Sequence, residues 1–417
     1  MAKDKIITGI DIGSTKISTT IASVSENKIS VIGVSGNVES KGIKKGNVVD
    51  IDAAVEAILS SLERAERMAG VSVSSVFITV NGSHIETLNS HGVVAVSPTQ
   101  SSEITQEDVA RVVEAAQAVS IPSTREIIHV IPRDFIVDSQ DGIKDPVGMS
   151  GVRLEVETNI IHGSSTAIRN LVKCVTQAGV DVEEMVYTGI ASAEAVLTDT
   201  EKELGTLLVD IGGGTTSIVA FLEGSPVYSC VLPIGGKLIS QDLAIGLRAR
   251  LEDAEKIKIK LSNDAALKMI DPSKKSDEFD VSEFGLEVDS ISKNLLYKII
   301  DARLEEIFRL IALEISKVNL TGKLPAGVVV TGGGALTSGV ERMAKYTLKV
   351  PTRIGVPKGV TGLIDEIQSP GSSAVVGTIL YGSNLIRSGS LLSFENNKGN
   401  MKKSISKIIE KFKSFLP

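Results

Sequence analysis

Two stretches of this sequence carry the same chemical device. Ile10-Asp11-Ile12-Gly13-Ser14-Thr15-Lys16 and Asp210-Ile211-Gly212-Gly213-Gly214-Thr215-Thr216 each end an apolar run with an aspartate and continue into a hydroxyl-bearing, glycine-rich turn. A return run follows each, over residues 16–24 and 217–222, so both read as β-hairpins with the glycines at the tip. Glycine lets the backbone turn tightly and approach a ligand, and the freed N–H groups and hydroxyls can bind phosphate oxygens. Two such tips from two similar halves would clamp a polyphosphate. Asp11 and Asp210 would then hold a Mg²⁺ through water, since Mg²⁺ sheds its hydration shell reluctantly. A third apolar run, Val328-Val329-Val330-Thr331, ends in Gly332-Gly333-Gly334-Ala335 and would give a base and sugar a flat surface free of side chains. One Asp-Ile-Gly says little; three such strand ends together argue for a nucleotide site. The sequence holds no Gly-x-x-x-x-Gly-Lys-Ser/Thr loop, and no Gly-x-Gly-x-x-Gly follows the first run, which disfavours a P-loop NTPase and a Rossmann dehydrogenase.

The elements that must position these tips follow from pattern and composition. At 417 residues the chain suits two to four compact units. Aromatic residues are only 3% and tryptophan is absent, so the core must be built from Val, Ile, Leu and Ala, as in α/β proteins with doubly covered strands. Residues 51–70 read as a helix with Ala54, Ile58, Leu62 and Ala65 on one face and Asp52 as its cap. Residues 28–34 and 76–80 read as strands, and residues 164–178 and 191–197 as helical. Further helices are expected over 251–261 and 299–318, with the polar residues 262–290 between them strand-like in pieces.

Residues 84–163 differ in texture. They hold His84, His91, His129 and His162, and a helix opened by a Thr105/Asp108 capping box, and they read as an inserted subdomain. The histidines lack the spacing of a metal set and read as incidental. Cys174 and Cys230 sit in apolar stretches and read as buried free thiols in a reducing cytosol. No secretory leader is expected, and no apolar stretch is long enough to span a bilayer.

At the glycine-rich tips the chain resembles the actin, Hsp70 and sugar-kinase superfamily. Longer stretches make it similar to the FtsA family of bacterial cell-division proteins. They are residues 142–154 (Gly-Ile-Lys-Asp-Pro-Val-Gly-Met-Ser-Gly-Val-Arg-Leu), 193–197, 208–216, 242–248, 254–258, 330–336 and 353–357. The resemblance implies an actin-like, two-lobed α/β fold of two RNase H-like domains with an inserted SHS2-type subdomain. It assigns residues 1–83 and 164–195, with part of 370–386, to subdomain 1A and 84–163 to 1C. Residues 196–240 and 305–386 would form 2A, and 241–304 would form 2B. It implies ATP as the ligand, with Gly13, Ser14, Thr15 and Lys16 as the first phosphate loop and residues 210–216 as the second. Gly236 and Lys237 would lie near phosphates or ribose, and Glu255 and Lys258 would reach ribose and adenine, unless that pair is a surface i,i+3 ion pair. One departure matters: Thr188 and Gly189 stand where several superfamily members carry an acid or amide that positions the attacking water. Turnover is therefore expected to be slow or absent, with the nucleotide acting as an assembly switch.

The net charge of −7 argues against bulk nucleic-acid binding, yet residues 401–417 hold five lysines against one glutamate. There Met401, Ile405, Ile408, Ile409, Phe412, Phe415 and Leu416 recur at helical spacing, flanked by Lys402, Lys403, Lys407, Lys411 and Lys413, behind a Ser/Gly/Asn-rich linker at 387–400. This reads as an interfacial helix for an anionic membrane. Through the resemblance, the chain would polymerise and tether FtsZ filaments to the cytoplasmic face of the membrane at the division site. Other division proteins would meet 1C, and the acidic FtsZ tail would dock on 2B near Arg303. A small-molecule kinase of the same fold is the alternative, and an Hsp70-like ATPase a third reading.

Overall fold

The computed structural model describes residues 5–25, 28–96, 103–270 and 278–387. The expected linker from residue 388 on and the basic tail, with Lys402, Phe412 and their neighbours, lie outside the described residues.

Two β-sheets carry the two lobes. The first orders its strands Asp181–Tyr187, Ser75–Val80, Lys5–Ile12, Lys16–Val24, Ile29–Val34 and Thr361–Gly362, with Val38–Glu39 pairing on Lys16–Val24. Residues 17–22 are all buried, as a strand covered on both faces requires. One helix pair, Ile51–Ala69 and Ser165–Gln177, packs on this sheet, and a second pair, Thr188–Val196 and Ser373–Arg387, packs together against Lys5–Ile12. The second lobe orders Ser225–Leu232, Thr216–Leu222, Thr206–Ile211, Val328–Thr331 and Thr352–Ile354. Helices Lys237–Leu247, Leu251–Ile270, Lys293–Lys317 and Val340–Leu348 build its other layer, and Leu296, Ile300, Leu304, Ile307, Ile311 and Ile315 form one buried stripe.

Between the strands Ser75–Val80 and Asp181–Tyr187 the chain leaves the first lobe to form a four-stranded antiparallel sheet. Its order is Gln140–Ile143, Arg125–Val137, Arg153–Ser164 and Glu86–Ala95. Helix Gln106–Gln117 lies on it, capped by the Thr105/Asp108 box, over a small core that includes Val112, Phe135 and Leu154. The helix approaches so closely that a Cβ on Gly92 would stand 2.3 Å from the Val112 carbonyl oxygen.

Several expectations are corrected. Helix Ile51–Ala69 is capped by Asp50, whose side chain accepts from the Ala53 N–H, while Asp52 sits inside the first turn where a carboxylate favours the helix dipole. The helix from Leu251 runs on to Ile270, and the one expected from residue 299 starts at Lys293, where burial of Leu296 extends it beyond the expected start. The chain returns to the first lobe as early as Thr361, which pairs in parallel with Ser30, and not only through the last helix. Cys174 is buried as expected, but Cys230 is only half-buried.

Three contacts tie these units together. Tyr187, fully buried in the first lobe, donates its hydroxyl hydrogen to the Cys230 carbonyl oxygen at 2.9 Å in the second lobe. Lys144 of the insert donates to the Glu223 carbonyl oxygen at 2.7 Å, and the Asn89 side-chain amide to that of Val227 at 3.5 Å.

Candidate functional site

The two sequence repeats fold into the same turn. In the first hairpin Asp11 stands opposite Ser18 and the Gly13 N–H closes the tip on the Lys16 carbonyl at 3.0 Å. In the second, Asp210 stands opposite Ser217 and the Gly212 N–H closes on the Thr215 carbonyl at 2.9 Å. Side chains are excluded at these tips: a Cβ on Gly13 would lie 2.8 Å from the Lys16 oxygen. The tips face each other across the lobes. A Cβ on Gly213 would fall 2.2 Å from Thr15, and one on Gly214 2.9 Å from Ser14.

The third glycine run completes one wall. Val328–Thr331 runs parallel to Thr206–Ile211 with Thr331 beside Asp210. Gly332 has φ 84°, and a Cβ there would stand 2.2 Å from Asp210 Oδ1, so the carboxylate rests directly on glycine backbone. Gly334 is pressed against Ile211, and Ala335 is buried, whereas a Cβ on Gly333 would meet nothing within 4 Å and so faces open space. The Gly236 and Lys237 N–H groups each donate at 2.9 Å to the carbonyl oxygens of Gly212 and Gly213. They brace the second tip from behind rather than offering those donors to a phosphate.

Three ionisable groups form one electrostatic cluster between the lobes. Loss of hydration raises the Asp11 carboxyl above its ordinary value, against the opposing pull of Lys16 and of the hydrogen bond donated by Thr79 at 2.8 Å. Burial raises Asp210 to about 6; Ser192 donates to it and lowers it, while the Asp11 charge raises it further. Burial lowers Lys16, and both aspartates draw it back up. Lys16 donates at 2.6 Å to the Gly371 carbonyl and at 3.1 Å to Asn37. Two carboxylates thus lie near one ammonium whose hydrogen bonds go to Gly371 and Asn37, and a hard divalent cation with oxygen ligands fits that deficit. Among the described residues no group of three or more His, Cys, Asp or Glu side chains could hold a metal unaided. A cation here would need water or ligand oxygens to complete its shell.

The remaining candidates divide. Lys258 is buried and donates to Glu255 at 2.8 Å, to Ser240 Oγ at 3.0 Å and to the Gly236 carbonyl at 3.4 Å. The ion pair exists, but it is interior and stands beside the glycine wall, because Gly236 lies 3.6 Å, as Cβ, from Gly334. Arg303 is engaged elsewhere: its fork donates to both Asp242 oxygens at 2.6 and 2.8 Å, and it also bonds Glu306. Thr188 donates to the Val80 carbonyl at 3.2 Å, and Gly189 is packed against the Tyr187 ring, with no space for a longer side chain. The histidines serve structure. His129 Nε2 accepts from the Tyr187 N–H, His84 Nδ1 from the Ser164 N–H, and His91 pairs with Glu155 at 2.9 Å.

Sequence reading missed Thr79, Ser192 and Asn81. Thr79 is brought to Asp11 by the parallel pairing of Ser75–Val80 with Lys5–Ile12. Asn81 donates to the Thr215 hydroxyl at 3.2 Å and accepts from Ser217 at 3.1 Å. Only Ser192 left a signal, a hydroxyl between two alanines in the mostly apolar helix Thr188–Val196.

Among solved structures, the fold is similar to a chain of the PilM-PilN type IV pilus biogenesis complex. The TM-score is 0.61 at 16% identity, covering 90% of this chain and 98% of that one. It is also similar to MreB5 of Spiroplasma citri bound to ADP, with TM-score 0.53 and 14% identity over 94% of this chain and 99% of that one. Both are likenesses of fold, an actin-like ATPase architecture. A family model described as the SHS2 domain inserted in FtsA matches residues 82–162, and one described as cell division protein FtsA matches residues 207–377. The chain is 35% identical over 414 residues to the cell division protein FtsA of Pseudomonas aeruginosa, covering 99% of this chain and 97% of that relative. It is 39% identical over 381 residues to that of Borreliella burgdorferi, covering 90% of each. It is likewise 39% identical over 358 residues to that of Bacillus subtilis, covering 86% of this chain and 80% of that one. With near-complete coverage at these identities and both its glycine-tipped hairpins and its inserted subdomain in place, the chain belongs to the FtsA family of cell-division proteins.

Proposed function

We propose that this chain binds ATP with Mg²⁺ between its two hairpin tips. In the nucleotide-loaded state it would polymerise and tether FtsZ filaments to the cytoplasmic face of the membrane during septum assembly. The observation that carries the nucleotide reading is the placement of Asp11 and Asp210 on mirrored hairpins whose glycine tips face each other across the lobes. A bound Mg²⁺ would neutralise phosphate charge. The chain's own residues would present Ser14, Thr15 and Thr215 hydroxyls and the tip backbone to the phosphates, and Gly333 to the sugar and base. Gly189 leaves no acid or amide to orient an attacking water, so ATP is held rather than rapidly hydrolysed. Calorimetry of ATP·Mg²⁺ with Asp210→Ala checks this: affinity should fall at least about tenfold, the loss of one charge-assisted contact. Unchanged affinity would remove the nucleotide reading.

For the FtsZ tail, the groove between helices Lys293–Lys317 and Val340–Leu348 is a better seat than Arg303. It has a volume of about 960 Å³, is lined by Tyr297, Glu341, Lys345, Tyr346 and Ile354 with Arg342 held by Asp301, and carries Lys345 without an ion pair among the described residues. Arg303 is held by Asp242 and Glu306. Arg303 then shapes the groove's supporting helix, while Lys345 meets the acidic peptide.

A further inference from the structure

We propose that Asn81 is a positioning residue that transmits the state of the two hairpin tips into the root of the inserted subdomain. The inference rests on the nucleotide reading above. Asn81 ends the strand that leaves the first lobe, and the SHS2 match begins at the next residue, Gly82. Its side chain holds the second tip at two points: the amide donates to the Thr215 hydroxyl at 3.2 Å and the carbonyl accepts from Ser217 at 3.1 Å. That same carbonyl also accepts the Gly82 N–H at 2.8 Å.

The first tip reaches the same place by another path. The Ser14 hydroxyl accepts the Gly46 N–H at 2.9 Å, and a Cβ on Gly46 would lie 2.6 Å from Gly82 Cα. Backbone therefore rests on backbone there, with no flexible side chain to absorb a shift. Gly82 itself has φ 128°, a conformation that L side chains rarely adopt, at the point where entry to the insert begins.

Beyond Gly82 the two chain crossings into and out of the insert are fastened into one unit. The His84 ring packs on Gly82 and Gly163, where added Cβ atoms would each meet it at 2.9 Å, and His84 Nδ1 accepts the Ser164 N–H at 3.2 Å. Arg125 donates to the His84 carbonyl at 2.8 Å and to His162 Nδ1 at 2.7 Å, and pairs with Glu86 at 3.1 Å. A change in the separation of the tips is thus felt at residues 81–82 from both sides and passes to entry and exit strands together. The insert's far edge touches the second lobe through Lys144, so its setting depends on the lobes twice over. Coupling of this kind needs an element that both sites bias, and the stapled root supplies it.

Hydrogen exchange on the full chain with and without ATP·Mg²⁺ tests the proposal, read at the tips (residues 11–16 and 210–217) and at the root (82–86 and 162–165). In the parent, nucleotide should slow exchange at both, by about fivefold or more at the root. Asn81→Ala should lose a clearly larger share of the slowing at the root than at the tips. Ser217→Ala, which removes one of the two bonds, should fall between, and it decides the matter alone if Asn81→Ala does not fold. Equal root protection in these variants and the parent would overturn the relay, as would tips protected in the parent with an unresponsive root. No protection at the parent's tips would overturn the nucleotide reading and this one with it.

Discussion

Asp210 and Glu201 lie nine residues apart in sequence, yet their environments drive their carboxyls in opposite directions. Asp210 is buried beside a like charge and is raised to about 6. Glu201 is opposed by burial too, but the hydrogen bonds from Arg353 and from Thr198 win and bring it from 4.5 down to about 2. Its carboxylate takes a fork from Arg353 at 2.6 and 2.7 Å while Arg353 also donates to the Val196 carbonyl at 2.8 Å, joining the short helix Asp199–Leu204 to the strand Thr352–Ile354. A folded-state pKa below the unfolded one means that this carboxylate's stabilisation is complete above pH 4.5 and fades as pH falls toward 2. Glu201→Gln should therefore melt lower at neutral pH, by about 1 kcal/mol for an exposed bidentate pair. The gap to the parent should close as pH falls through that window in thermal scans. A gap that stays constant down to pH 2 would show that the charge contributes nothing there.

At the scale of elements, glycine marks where two of them nearly touch. Helices Thr188–Val196 and Ser373–Arg387 cross so closely that a Cβ on Gly377 would stand 1.7 Å from the Ala191 carbonyl oxygen, which is backbone and cannot swing away. Gly377→Ala should destabilise the chain by about 3 kcal/mol through overpacking, a drop visible in urea unfolding. An unchanged midpoint would mean the helices part freely. The partner helix Thr188–Val196 holds Ser192 against Asp210, so a forced separation should also weaken nucleotide binding. By contrast, Thr105 and Asp108 cap their helix by a purely local device, which is why sequence alone placed its start.

For the whole molecule, the acidic body and the basic end call for separate tests. Deleting residues 401–417 removes five lysines and the apolar stripe that includes Phe412 and Phe415, and leaves the described lobes intact. The truncated chain should bind ATP like the parent and lose sedimentation with anionic liposomes, each lysine contributing on the order of 1 kcal/mol near such a surface. Sedimentation that persists would place the membrane contact in the body instead.

What the sequence alone determined is whatever depends on neighbours along the chain. The two Asp-x-Gly tips, the Thr105 box and the stripe from Ile300 to Ile315 are local patterns of backbone freedom, capping and periodicity, and they fold as written. Family likeness, not local pattern, supplied the expected identity of the insert at 84–163. Only tertiary structure decided the rest. Thr79 reaches Asp11 because parallel strand pairing brings together residues far apart in sequence, and Asn81 reaches Thr215 only because the lobes face each other; neither register nor lobe packing leaves a trace in a single chain's pattern. Arg303 looked available for an acidic partner until Asp242, two helices earlier, occupied its fork. Which partner a charged side chain finds depends on distances in space, and those are set only when the lobes pack.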